Sequence, residues 1–411
     1  MKNLILLFVA SILLLSSACH KTKLPTEPQQ IAVNNKTQQL IQNNNQFGLE
    51  LFQTVLKNED STRNVMISPL SATLALSMTY NGAAGDTKSA FENTFHLNGL
   101  TDTEINQSML DLSDALVSVD KLVQLNIANS IWYRNSFQVE SDFLNTNKKY
   151  YHAEVAALDF NDPNSKNTIN QWVDKQTNHK IPSIVDQVSP DDIMFLINAI
   201  YFKGDWKSEF KKADTENRPF YLENGQNIEV PTMSQETDMA YYNSDLFTAV
   251  DLPYGRGNFS MFLMLPNDGK TLSELEMALT QENWQSWIDN MGGPEKMTIR
   301  LPKFKFAYAR PMKDDLISLG LGIAFSDTAD FSKINSGGGL TISRVKQKTF
   351  IEVNEEGTTA AAATSVTVGV TSAGPGAIVN FDHPFLFAIK ENTTGTILFI
   401  GRVMDPSQTG K

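Results

Sequence analysis

A single cysteine, Cys19, is the only thiol in 411 residues. No intrachain disulfide can form, and neither a cysteine zinc site nor a Cys-His nucleophile can be assembled inside the fold. Histidine is scarce as well. His20, His96, His152, His179 and His383 are too far apart in sequence to suggest a metal pair. Glycine (23) and proline (16) are too few for a collagen-like or wholly disordered chain. Positive charge is in deficit, with 34 Lys and Arg against 46 Asp and Glu, a net of −12 and no basic stripe. A phosphate backbone has no electrostatic attraction to such a surface, so nucleic acid is excluded as a partner. Long apolar runs are missing too. The run from Leu4 to Leu15 is short of the ~20 residues that span a bilayer.

Signatures of catalysis are also lacking. There is no G-x-S-x-G elbow and no H-E-x-x-H. Gly269-Lys270-Thr271 looks like the end of a phosphate loop, but Met264 stands where its first glycine is required. The pairs Asp191-Asp192 and Asp314-Asp315 read as solvated faces. No cofactor and no metal is expected.

What is present is enough apolar residue, 41% of the chain with 24 Phe, to bury a large core. At the N-terminus, Lys2 precedes the short apolar run, which breaks into Ser16-Ser17-Ala18-Cys19. That is the form of a secretory signal. The small residues before Cys19 resemble a bacterial lipobox, although Ser16 stands where leucine is usual. The resemblance implies a signal peptide over 1–18, cleavage before Cys19 and a lipid on its thiol. The expected location is exported and lipid-anchored, at a bacterial cell surface or periplasmic face. An ordinary signal with an incidental cysteine is the alternative. Residues 19–44 are polar, with Pro25 and Pro28, and read as a tether, with a helix starting inside Thr37–Gln46. The folded domain is expected over 45–411.

Phe47, Leu49, Leu51, Phe52, Val55 and Leu56 recur at helical spacing. Ser68-Pro69 starts a second helix, apolar nearly all round and therefore buried. Strand-like runs follow at Leu122–Tyr133, Met194–Lys203, Phe247–Leu252, Phe259–Leu265, Met297–Phe306 and Phe350–Val353. The chain ends in a hairpin in which Phe385, Phe387 and Ile389 point inward and Asn392–Gly395 turns. Helices dominate the first half and strands the second, without βαβ alternation. The class is α+β.

One segment resists an ordinary explanation. From Gly357 to Phe381 no residue is charged. A linker would not carry the Val/Thr alternation of Thr364–Val368, and a helix would not continue into it. Thr358, Ala360, Ala362, Thr364, Val366 and Val368 form one face; Thr359, Ala361, Ala363, Ser365 and Thr367 form the other. Both are small enough to slide between two existing strands.

At this point the chain resembles the serpins, over about Asn45 to Pro406. The matching segments are Asn64–Ser71, Asn198–Trp206, Leu252-Pro253-Tyr254, Leu265–Lys270, Leu301-Pro302-Lys303-Phe304, Phe381–Phe385 and Gly401–Pro406. Glu355, Glu356, Gly357, Thr358, Thr359, Ala360, Ala361, Ala362 and Ala363 match the family's inhibitory hinge. The resemblance implies a single-domain serpin fold with a large central sheet and an exposed reactive-centre loop at about 355–380. It implies no enzyme but a monomeric bait for serine proteases, its partner held in a covalent acyl complex. Trp206 and Lys303 fall in the breach, the upper end of the central sheet. Ser68, Ser71 and Asn198 fall in the shutter beneath its centre, where Gln347 replaces the usual histidine. Family spacing counted from Glu355 places the cut between Thr371 and Ser372, with Val370 and Ala373 open as alternatives. These residues are small and uncharged, which suits elastase-like or subtilisin-like proteases and not trypsin-like ones. A non-inhibitory binding protein of the same family is the other reading.

Overall fold

The computed structural model describes residues 27–358 and 377–410. Helix α1 (Asn35–Lys57) leads through strand β1 (Val65–Ile67) to α2 (Pro69–Tyr80), α3 (Gly85–Thr94) and α4 (Asp102–Ser118). Then come β2 (Val123–Arg134), α5 (Ser141–Tyr151), β3 (Glu154–Leu158), α6 (Asn164–Gln176) and β4 (Met194–Asp205). Strands follow: β5 (Glu216–Tyr221), β6 (Asn227–Asn243), β7 (Phe247–Tyr254) and β8 (Phe259–Pro266). Short helices α7 (Leu272–Met277) and α8 (Gln281–Asp289) precede β9 (Glu295–Pro302) and β10 (Phe304–Pro311). The chain closes with β11 (Lys346–Val353), β12 (Gly357–Thr358), β13 (Ile378–Asn380), β14 (Phe385–Glu391) and β15 (Ile397–Val403). The expected α+β division holds.

Nine strands form one sheet, in the order β1-β15-β14-β8-β7-β6-β9-β13 with β5 on β6. Six form the other, β10-β11-β12-β4-β2-β3. Helix α2 lies between the sheets and is buried at every residue but Ala75. Ser68 caps it, its hydroxyl accepting from the Ser71 N–H.

Four expectations change. The polar segment through residue 44 is not all tether. Asn34 caps α1 through the Lys36 and Thr37 amides, and Leu40 and Ile41 are buried. Hydropathy hid this because the helix buries polar side chains with partners: Thr37 bonds Ser108, and Asn45 bonds both Gly395 O and Ile397 N. Even Gln29 is tied down by two bonds to Asn258. Second, Met297–Phe306 is two strands in different sheets. Pro302 ends β9, and the Lys303 N–H goes to Pro231 O before β10 begins. Third, β14 does not alternate; all seven residues are buried. Phe304 of β10 packs on Phe385 and Phe387 from one side, while Trp284 of α8 covers the neighbouring Phe262 from the other. Fourth, Asp315 is fully buried in a bidentate pair with Arg310, at 2.7 and 2.9 Å.

Candidate functional site: a gap in the six-stranded sheet

Strands β4 and β11 run in the same direction but are bridged only by the two residues of β12. The segment before β12 is held from several sides. The Trp206 indole N–H donates to Asn354 O (2.9 Å), and its backbone N–H donates to Glu356 O (2.8 Å). Its ring stacks on Tyr254 with centroids 4.5 Å apart. Glu355 is buried and accepts from Lys303 Nζ (2.9 Å) and Thr215 Oγ1 (2.9 Å). Glu356 pairs with Lys212 at 2.7 Å. Trp206 and Lys303 thus meet the hinge glutamates directly.

The chain then turns into the sheet. Gly357 faces Asp205 and Thr358 faces Gly204 on one side, while Thr358 faces Val353 on the other. A Cβ on Gly357 would lie 2.1 Å from Gly204 O, so no larger residue passes here. Thr358 is buried and shares a 2.5 Å hydrogen bond with the Tyr254 hydroxyl.

Charge at this end is uneven. Burial acts to raise the Glu355 pKa, but the bonds from Lys303 and Thr215 outweigh it and hold the carboxyl below its usual range. Asp205 goes the other way: burial, helped by Glu356, raises it above its ordinary value despite Lys203. Glu209 is raised as well, by burial and by the charges of Asp205 and Glu356.

Below the hinge lies a polar row. Gln347 Oε1 accepts from the Ser68 N–H and its Nε2 donates to Ser68 O, both at 2.9 Å. Ser68 Oγ in turn donates to Leu398 O (2.6 Å). Of the expected set, Ser68 bonds both Gln347 and, through the α2 cap, Ser71, but Asn198 bonds none of them. Asn198 donates instead to Asn129 Oδ1 (2.8 Å) across the β2–β4 ladder, and its own Oδ1 has no partner among the described residues. Ser71 contributes its backbone N–H to the α2 cap. Two participants were not singled out by sequence, Asn129 and Thr349, whose hydroxyl donates to Met66 O, and Tyr254 was named only within the Leu252-Pro253-Tyr254 match. The only sequence signal for Asn129 is a polar residue inside an apolar strand run.

The space between β4 and β11 continues downward. A narrow opening of about 20 Å³ lies under Thr358, between Ile200–Phe202 and Phe350–Ile351. A larger cavity of about 360 Å³ lies between Met194–Asn198 and Val345–Lys348, with α2 beneath. Cys19, residues 359–363 of the hinge, and Val370, Thr371, Ser372 and Ala373 lie outside the described residues. Among the described residues, no group of three or more His, Cys, Asp or Glu could hold a metal ion.

A mixed α/β molecule whose main sheet has room for one more strand defines a narrow class, and the comparisons place it. Residues 42–406 match the family model for serpins, described as serine protease inhibitors. The chain belongs to the serpin family. Human leukocyte elastase inhibitor is 35% identical over 90% of this chain and 100% of its own. A serpin-like protein of Thermococcus kodakarensis is 34% identical over 93% and 89%. Among solved structures, the thermophilic serpin tengpin in its native state superimposes with a TM-score of 0.82 at 33% identity, covering 92% of this chain and 96% of its own. Human thyroxine-binding globulin in complex with thyroxine also reaches 0.82, at 26% identity over 91% and 100%. The likenesses thus include an elastase inhibitor and a thyroxine-binding protein.

Proposed function

We propose that this serpin inhibits serine endopeptidases by trapping them as a suicide substrate. The observation that carries the reading is the start of the hinge, Gly357 and Thr358, seated in the sheet gap, with an uncharged, small-residue sequence following it. Continuing the observed register of Gly357 and Thr358 gives each later residue a place. On insertion Ala360 would come between Phe202 and Ile351, and Ala362 between Ile200 and Thr349. Thr364 would come between Asn198 and Gln347, where its hydroxyl could donate to Asn198 Oδ1. Val366 would come between Leu196 and Val345 and, once buried there, would contribute ~1.5–3 kcal/mol.

The chemistry is the protease's own. Its serine oxygen attacks the Thr371 carbonyl carbon, the Thr371–Ser372 bond breaks, and the new amine leaves with Ser372. The Thr371 ester remains on the enzyme. The freed strand then enters the gap and carries the acyl-enzyme with it. Deacylation needs an intact oxyanion hole and triad, and distortion of these stalls it. Hydrolysis competes if insertion is slow. Small, uncharged residues at the cut favour elastase-like or subtilisin-like targets, and a leukocyte elastase inhibitor stands among the relatives. The protein acts as bait and not as a catalyst. It works as a monomer held at a bacterial surface by a lipid on Cys19.

The test is to mix the protein with an elastase-like protease and, separately, with trypsin. An SDS-stable complex is expected with the first and little with the second. Loop cleavage is expected to raise the melting temperature sharply, whereas nicking an ordinary exposed loop does not. Cleavage without that rise defeats the trapping reading.

A further inference from the structure

The lower cavity has features of a ligand site in its own right. At about 360 Å³ it is more than twice the ~150 Å³ apolar cavity that takes benzene. It follows β4 from Met194 to Asn198, about 13 Å at the rise of a strand. A straight chain can follow that path further than a ring. Ala75 and Leu76 of α2 form the floor, and Leu196, Phe331, Ile342 and Val345 the walls. Among the charges at the mouth, Arg344 is engaged by Asp192 and Lys346 by Asp186, and Asp191 also lines the rim. Lys348 differs. Among the described residues it has no carboxylate at ion-pair distance, and its Nζ donates only to Ser183 Oγ at 3.2 Å. Burial and then Lys346 lower its pKa, against a pull from Asp186, and a bound anion would favour its charged form.

We propose that this cavity binds a medium-chain fatty acid, its tail between β4 and β11 against α2 and its carboxylate at Lys348, and that the bound chain competes with loop insertion. The competition half rests on the trapping mechanism. Its cause is geometric, because the continued register seats Val366 against Leu196 and Val345, two walls of the same cavity.

Calorimetric titration of the intact protein with decanoate is expected to give saturable one-to-one binding. Lys348→Gln should weaken decanoate at least tenfold and change decanol less than twofold. Ala75→Phe, filling the cavity from α2, should abolish both; Ile342→Trp, filling it from the opposite wall, serves if that variant fails to fold. Saturating decanoate should at least double the number of inhibitor molecules consumed per protease trapped. Absence of saturable binding, or binding that survives both filling variants, overturns the site. Binding as expected with unchanged trapping stoichiometry overturns the competition. The titration contains no protease, so its result stands apart from the melting test of the trapping mechanism.

Discussion

Replacing Thr358 by arginine tests whether the hinge must occupy the sheet. Thr358 is 2% exposed, and the hinge glutamates beside it are already engaged; Asp205, whose Oδ1 has no partner among the described residues, stands opposite Gly357 and not Thr358. Glu355 is committed to Lys303 and Glu356 to Lys212. An unpaired arginine buried here costs several kcal/mol even after relaxation. The alternative is for Gly357 and Thr358 to leave the sheet. That gives up on the order of four backbone hydrogen bonds, about 2–6 kcal/mol in all. The two costs are comparable, so the hinge is expected to withdraw already in the uncut protein. Trp206 reports the change, because its partners Asn354, Glu356 and Tyr254 all belong to this junction. Thr358→Arg should shift Trp fluorescence before protease is added. It should then be cleaved without forming an SDS-stable complex. Thr358→Val is the control. It keeps the β-branched shape and removes only the bond to Tyr254, leaving a buried hydroxyl unsatisfied at about 1–3 kcal/mol. The expected fall in melting temperature is roughly 2–6 °C, with trapping retained. An arginine variant that traps protease as well as the parent would refute the reasoning.

Three further outcomes follow from the same geometry, and a fourth from the N-terminal sequence. The Asp205 carboxyl has its native pKa raised, so the native state loses stability as pH rises through that value; Asp205→Asn should raise the melting temperature at pH 7 and have no effect below the ordinary value of 3.8. Glu355 is lowered, so its contribution is present at neutral pH and lost as pH falls; Glu355→Gln should destabilise at pH 7 and converge with the parent in acid. Gln347→Ala strands the Ser68 N–H and C=O at about 1–3 kcal/mol each, equally from pH 5 to 8, whereas Gln347→His should make stability change near the imidazole pKa of ~6.5, as read by melting curves across pH. Cys19→Ala should move the protein from the membrane fraction to the soluble fraction; continued membrane association would remove the lipid anchor.

Much of this protein was legible in its sequence because the signals are local. Ser68-Pro69 starts α2 by capping chemistry that needs no tertiary context, and its apolar circumference announces burial. The division into helices first and strands later follows from periodicity alone. The uncharged stretch after Gly357 fits neither a solvated linker nor a helix well, by composition. These features fix the class and point to the loop.

Other features were decided by contacts distant in sequence. Asn34 supplies a local cap for the start of α1, but the polar residues that follow become core only when Ser108, Gly395 and Ile397 arrive as partners. The run through Pro302 reads as one strand until two sheets claim its halves. Asp315 looks like a surface acid, and its burial depends on the pair with Arg310 together with a hydrogen bond from Asn58, which lies far away in sequence. The polar row under the hinge is the clearest case. The family resemblance put Asn198 with Gln347, but the β2–β4 ladder gives its amide to Asn129 and leaves its oxygen without a partner among the described residues. Local chemistry determines which residues can form a strand. Whether a place stands open for that strand depends on how far apart β4 and β11 are held, and that is set by the packing of the whole molecule.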